Sequence, residues 1–225
     1  MIRHPLLDAL GLDHGFGECG DLEPPRVQRP RQVHGDRVVP AAACLEDPPP
    51  EADCVLGVAG EGPVAVVTAD CVPVLLASED GRAVAAVHAG WRGLAKGVLE
   101  AGVVALRRQA PGSSLRAVVG PHIGPCCYEV DAPVLDALAA RHGPLLTAAI
   151  AGARRGLHAD LDLGVLAREV LLAAGIAPDR VGRVTPPCTS CDPERFHSYR
   201  RDGPRSGRLV HYIRAGLRTP RHPGG

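Results

Sequence analysis

Val64-Ala65-Val66-Val67-Thr68-Ala69-Asp70-Cys71-Val72-Pro73-Val74-Leu75-Leu76-Ala77, then Glu79-Asp80-Gly81, then Arg82-Ala83-Val84-Ala85-Ala86-Val87-His88-Ala89-Gly90-Trp91-Arg92-Gly93, is the stretch that decides the fold. Short runs rich in Val and Leu, bounded by Gly, Pro and acidic turns, predict strands. Gly62-Pro63 opens the first, over 64–68. The second, 72–77, is either a new strand or a continuation, with Pro73 marking an edge or a bend. The third, 82–87, ends at His88. Leu94, Val98, Val103 and Leu106 then follow helical spacing, with Arg107 and Arg108 near the end and Pro111-Gly112 as the stop.

Working outward, the C-terminal half alternates strands with helices. Strands are predicted over 115–119, 183–185 and 208–214, and helices over 130–140 and 162–174. Asp131 is the expected N-cap of the first helix, and Gly175 ends the second. The first 50 residues read mostly as turns, with extended pieces at 26–28, 32–34 and 37–39. No linker divides the chain. The expectation is a single α/β (α+β) domain over 1–225, with mixed β-sheets flanked by helices.

Composition narrows the class. The 225 residues are 45% hydrophobic and 22% charged, a balance that builds a core rather than a disordered tail. Only 3% are aromatic, which supplies few stacking platforms, so no nucleic-acid partner is expected. Net charge is zero, yet residues 1–112 carry 10 basic and 15 acidic side chains and residues 113–225 carry 15 and 10. Eight Arg against one acid in 195–225 make a solvated basic end or an attraction for a small anion. No apolar run approaches bilayer length and no secretory leader is visible, so a cytoplasmic, membrane-free protein is expected. The eight Cys of a chain this size point to metal, reactive thiols or buried cysteines rather than a disulfide framework.

Candidate chemistry gathers where strands end. Cys71, His88 and His34 each sit at such an end, and a Cys-His-His set suits zinc with an open fourth position. Separate buried roles, or a metal-free pair in which His88 activates Cys71, are the competing readings. Asp70 is either a turn cap or a proton carrier. Arg92, in a Gly-rich turn that opens a helix, has the fork geometry to hold an anion. Arg200 and Arg201 offer the same. Cys188-Thr189-Ser190-Cys191 is a CxxC. A four-cysteine metal site would need Cys126-Cys127 as its second pair, and adjacent cysteines make poor geometry for one tetrahedral ion, so a structural turn is expected there.

Taken in order, Gln32-Val33-His34-Gly35, Thr68-Ala69-Asp70-Cys71-Val72-Pro73, His88-Ala89-Gly90-Trp91-Arg92-Gly93, Gly120-Pro121-His122-Ile123-Gly124-Pro125-Cys126-Cys127-Tyr128-Glu129-Val130, and Phe196 to Asp202 with Gly207-Arg208 resemble the signature segments of the YfiH/YlmD-type family. Its members were formerly called multicopper polyphenol oxidases or laccase-domain proteins. The resemblance runs from about residue 14 to 214. It implies zinc held by His34, Cys71 and His88, and a fold similar to the cytotoxic-necrotizing-factor catalytic domain. It also implies purine nucleoside phosphorylase activity on adenosine, inosine and methylthioadenosine, with adenosine deaminase activity beside it. Purine nucleosides and inorganic phosphate would be the partners, and a monomer is expected. Asp70, Cys71, His88 and Arg92 would be catalytic, and Arg200 and Arg201 would bind phosphate.

The chain departs from the family at its start: His14-Gly15-Phe16-Gly17-Glu18-Cys19-Gly20 lacks the Arg expected there, and the spacer to Gln32 is short. Arg26, Arg29 and Arg31 are the nearest substitutes. The alternatives are a copper-dependent polyphenol oxidase, a metal-free Cys-His hydrolase or deamidase, and a non-enzymatic partner-binding protein. Copper oxidation of that kind asks for several coppers and many His ligands, whereas four of the 10 His (4, 14, 211 and 222) lie near the chain ends.

Overall fold

The structure is a computed structural model describing residues 1–185 and 188–216, the side chains of 153–155 apart. Pro186, Pro187 and the last nine residues, including His222 and two Arg of the basic end, lie outside the described residues. The strands in chain order are β1 (Asp13–Phe16), β2 (Val38–Pro40), β3 (Cys54–Val58), β4 (Val64–Thr68), β5 (Val72–Ser78), β6 (Ala83–Ala89), β7 (Leu115–Val119), β8 (Glu129–Val130), β9 (Ile150–Arg155), β10 (His158–Leu161), β11 (Val181–Arg183) and β12 (Leu209–Arg214).

A six-stranded sheet of order β11-β7-β5-β6-β3-β2 forms the middle layer. Its outer pairs, β11 with β7 and β2 with β3, are parallel and the rest antiparallel, so the sheet is mixed as expected. All seven residues of β5 and all seven of β6 are buried. Alternation explains why. Val74, Leu76, Ala85 and Val87 face a core shared with the helices Val98–Gln109, Ala132–His142 and Leu163–Ala173. Leu75, Ala77, Val84 and Ala86 face a second core, shared with Phe16, Val64, Val66 and Ile213. A strand packed on both sides has no polar face, which is why the sequence shows unbroken apolar runs. Each buried Val or Leu contributes about 1.5–3 kcal/mol.

A small antiparallel sheet, β1-β12-β4, carries that second core. The chain is thus a single mixed α/β domain with helices on one face of the large sheet and a second sheet on the other. The segment 64–78 is not one strand. β4 belongs to the small sheet, and the turn Ala69-Asp70-Cys71 carries the chain across to β5 in the large one. Pro73 marks no edge either, since β5 lies between β7 and β6. It sits at the second position of the strand opposite His88, and its carbonyl accepts from Gly120 N at 2.8 Å.

Other boundaries move by a residue or two. The stripe from Leu94 to Leu106 is two helices, Trp91–Lys96 and Val98–Gln109, separated at Gly97, whose φ of 96° is left-handed backbone. Asp131 occupies the N-cap position before Ala132–His142 but makes no side-chain cap bond, whereas Asp162 does cap its helix through Val165 N. The hairpin β9–β10 and the helix Leu145–Ala149 have no counterpart in the sequence reading. No helix of the described residues is long and apolar enough to cross a membrane.

Candidate active site

Three chain segments meet beside the crossing turn. Cys71 comes from the turn itself. His88 is the penultimate residue of β6 and, having the parity of Val84 and Ala86, points toward the small sheet. His34 lies in a loop at φ 58°. One ligand atom from each of His34, Cys71 and His88 lies within 4.8 Å of the others. The rings of His34 and His88 meet edge-on with centroids 4.8 Å apart, and Cys71 Sγ is 3.9 Å from His34 Nε2.

Asp53, which the sequence reading passed over, holds this arrangement. It is fully buried just ahead of β3. Its Oδ1 takes His88 Nδ1 at 2.7 Å and His34 N at 3.0 Å, and its Oδ2 takes Gly35 N at 2.6 Å and Val33 N at 3.2 Å. With Nδ1–H committed to the carboxylate, Nε2 of His88 turns toward Cys71. This carboxylate–histidine pairing is the usual outer support of a metal ligand. Gln32 fixes the same loop by a two-point bond to Val67, donating to its carbonyl at 2.8 Å and accepting from its N–H at 2.7 Å.

The donor set fits a metal ion. One thiolate and two imidazoles converge, and a fourth side opens onto a cavity. Gly90 leaves the room: a Cβ there would meet Cys71 Sγ at 2.9 Å and His34 Cδ2 at 3.1 Å. Electrostatics readies the thiolate as a ligand, whereas the His88 ring gives up a proton when a metal binds. Burial alone would raise the Cys71 thiol, but His88 and His34 outweigh it and bring it down to about 6. Burial would lower His88, and the Cys71 and Asp53 charges raise it instead, to about 9. Without metal the pair is a thiolate and an imidazolium.

The cavity measures about 790 Å³, within the range of small-molecule sites. Trp91, Tyr128 and Tyr199 contribute aromatic wall, and Arg29, Arg92, Arg200 and Arg208 contribute charge. The Arg92 guanidinium lies 4.3 Å from the Trp91 ring centroid. Arg200 donates to Cys127 O at 3.1 Å and lies over Tyr128. Arg29, named only as a substitute, and Arg208, named only within a motif, thus join the predicted Arg92 and Arg200.

Two expectations, on Arg201 and on the cysteines, need correction. Asp70 lines the cavity. Its Oδ1 accepts from Thr189 Oγ1 at 2.6 Å, and its Oδ2 from Arg200 N at 2.6 Å and Ser198 Oγ at 3.0 Å, so both oxygens are spent tying the C-terminal segment to the turn. Arg201 does not line the cavity. It donates to the carbonyls of Thr189, Ser190 and Phe196 and pairs with Asp202. The expected poor geometry of the adjacent cysteines is not found, because the sulfurs of Cys126, Cys127, Cys188 and Cys191 all lie within 4.8 Å of one another.

The His122 side chain belongs to neither donor cluster. It is buried against Gly120 O, with Arg183 and Asp162 at its other nitrogen.

Comparison with known proteins shows the family. The family model described as multi-copper polyphenol oxidoreductase laccase matches residues 17–216. A Xylella fastidiosa (strain 9a5c) protein named purine nucleoside phosphorylase is 41% identical over 186 residues, covering 80% of this chain and 68% of that one. Adenosine deaminase RL5, from an unknown prokaryotic organism, is 36% identical over 146 residues, 64% of this chain and 55% of that one. The crystal structure of Neisseria meningitidis protein NMB0706 superposes with a TM-score of 0.76 at 37% identity, over 84% of this chain and 75% of that one. The chain belongs to the YfiH/YlmD family, the one whose model is described as multi-copper polyphenol oxidoreductase laccase.

Proposed function

We propose that the chain is a zinc-dependent purine nucleoside phosphorylase with an accompanying adenosine deaminase activity, both carried out in the cavity at His34, Cys71 and His88. The observation that carries the reading is one cavity joining a three-donor metal cluster to aromatic wall and four arginines. Ring surface suits a purine base, and the arginines suit inorganic phosphate. Membership in a family containing both a named phosphorylase and a named deaminase supports it.

Phosphorolysis breaks the bond between the anomeric carbon and the purine nitrogen, leaves the electron pair on the base, and joins a phosphate oxygen to the sugar. Arg92 and Arg200, with Arg29 and Arg208 at the rim, supply forked donors for the phosphate. Trp91 and Tyr128 supply ring surface for the base. Burial, with the Cys71 charge beside it, raises Tyr128, so its hydroxyl stays protonated and serves as a hydrogen-bond donor rather than as an acid. A zinc ion bound at the cluster would supply a Lewis acid and lower the pKa of nearby water. In deamination, water adds to the base and the amino group leaves as ammonia, and Asp53 keeps His88 oriented as a donor to the metal that would activate that water. The likeness to the cytotoxic-necrotizing-factor catalytic domain belongs to this proposal, through the Cys71–His88 pair.

Two observations favour other readings. The family description favours the copper oxidase over the zinc enzyme. Against it, among the described residues His34, Cys71 and His88 form the one histidine-containing metal cluster, too few imidazoles for several coppers. The order Cys71–His88–Asp53 also suits a metal-free cysteine nucleophile. Chromatography of adenosine incubated with the protein, with and without phosphate, separates these. Adenine only with phosphate supports phosphorolysis, and inosine in both samples supports deamination. Neither product from metal-loaded protein ends the nucleoside reading. Turnover that survives chelation and is abolished by alkylating Cys71 supports the thiol nucleophile instead.

A further inference from the structure

The four-cysteine cluster lies outside the donor set just described. Cys126 and Cys127 come from the turn after the Gly120–Ile123 loop. Cys188 and Cys191 come from the segment after β11. The two pieces are separated by more than 60 residues and meet directly. Cys188 bridges His122 in parallel register, and Thr189 N donates to His122 O at 2.9 Å. Gly124 lets them close up, since a Cβ there would lie 3.1 Å from Cys188 Cβ. The adjacency that argued against a tetrahedral site is resolved by this turn. Cys127 N bonds back to Gly124 O at 3.0 Å, and both neighbouring sulfurs face the CxxC.

The sulfur geometry is that of a metal cage. Cys126 Sγ lies 3.5 Å from Cys188 Sγ and 3.5 Å from Cys191 Sγ, and Cys127 Sγ lies 3.4 Å from Cys191 Sγ. Four thiolates about 2.3 Å from a central zinc stand roughly 3.8 Å apart. All four are free cysteines. The backbone N–H groups of Gly124 and Cys191 also point at the Cys188 sulfur. The dianionic charge of a zinc tetrathiolate has cations at hand: Arg200 bonds Cys127 O and Arg201 bonds Ser190 O.

We infer that Cys126, Cys127, Cys188 and Cys191 form a second metal site, closed and structural, that holds zinc in an all-sulfur shell. Its role follows from what it joins. One strand of the clip leads into Ile123 and Tyr128 of the cavity wall. The other carries Thr189, Ser198 and Arg200, which bond Asp70 beside Cys71. The ion staples the two walls of the cavity to each other without entering it.

The test is metal content with X-ray absorption at the zinc edge, on protein purified under reducing conditions. Cys71→Ser/His88→Ala dismantles the other cluster, and it is expected to keep about one zinc per chain in a shell of sulfur alone at about 2.3 Å. Cys188→Ser/Cys191→Ser is expected to lose that zinc. Should either double variant not fold, the unsubstituted protein answers: cobalt substituted into it should show the intense thiolate charge-transfer absorption of a four-sulfur site. The inference is overturned if every bound metal has nitrogen in its shell. It is equally overturned if the four thiols are recovered as two disulfides, or if the all-sulfur site holds iron. Failure of the nucleoside reading leaves these readouts untouched.

Discussion

Replacing Asp53 by Asn removes an acceptor from a carboxylate that serves four donors. Two of them, His88 Nδ1 and His34 N, meet one oxygen, and Val33 N and Gly35 N meet the other. An Asn amide has one acceptor and one donor end, so whichever way it turns, its NH₂ faces two N–H groups in a fully buried place. Two donors orphaned at about 1–3 kcal/mol each cost about 2–6 kcal/mol of folding stability. If the NH₂ faces His88, that ring also loses the bond fixing its tautomer, and metal affinity falls about 10–100-fold. Burial would raise the Asp53 carboxyl, but His88 and the backbone N–H groups hold it below its usual value. Its stabilisation is therefore complete above the unfolded carboxyl pKa and is lost as acid protonates the native group. Asp53→Asn should mimic that loss at neutral pH. Urea denaturation and zinc titration by calorimetry read the two effects. An Asp53→Asn variant within about 0.5 kcal/mol of the parent and binding zinc equally well would refute this account of Asp53.

Three further outcomes follow from the same geometry. Gly90→Ala, at a φ of −71° that any residue adopts, should fold normally yet weaken metal binding at least about tenfold, because its Cβ crowds Cys71 and His34; calorimetric titration reads it. His211 is fully buried between Gly17 N and Thr68 Oγ1, and burial, helped by the His88 charge, pushes it down to about 3. Its stabilisation is complete above an unfolded pKa of about 6.5 and falls by about 1.4 kcal/mol per pH unit below it, so His211 should account for about 2 kcal/mol of the stability change between pH 7.5 and pH 5, read by denaturation of the parent beside His211→Gln. Arg200→Ala should raise the phosphate KM about tenfold with little effect on Tm, whereas Arg201→Ala should lower Tm by several degrees and leave the phosphate KM alone; steady-state kinetics and thermal melts separate the two.

Several strands were legible because apolar runs mark their buried length, although Cys54–Val58 of the central sheet was not read at all. Val64–Thr68 and Leu115–Val119 are read to the residue, since turn formers bound an apolar run. What failed was the assignment of partners. Nothing in 64–78 tells a reader that the chain changes sheet at Asp70, because both strands are equally apolar. His34, Cys71 and His88 were legible as a set, but the residue that orders them was not: Asp53 precedes an apolar strand and reads as a turn residue until the three backbone N–H groups it receives are seen. The partners of Asp70 and Arg201 were not legible either. A carboxylate beside a cysteine and an arginine in a basic run look available, yet Asp70 meets Thr189 and Ser198 where the chain returns after a long excursion, and Arg201 folds back onto the carbonyl of nearby Phe196. The four cysteines were visible individually, and only the parallel contact of His122 with Cys188 brings the two pairs face to face.

The most direct test of the central claim is metal exchange with both products followed at once. Protein stripped by a chelator is reloaded with zinc or with copper, then given adenosine with phosphate in one vessel and a phenol with dioxygen in the other. The account predicts that zinc restores release of adenine and ribose 1-phosphate, that His88→Ala abolishes that gain, and that copper supports no dioxygen uptake. Copper-dependent oxidation of the phenol, with no nucleoside turnover in the zinc-loaded protein, would contradict it.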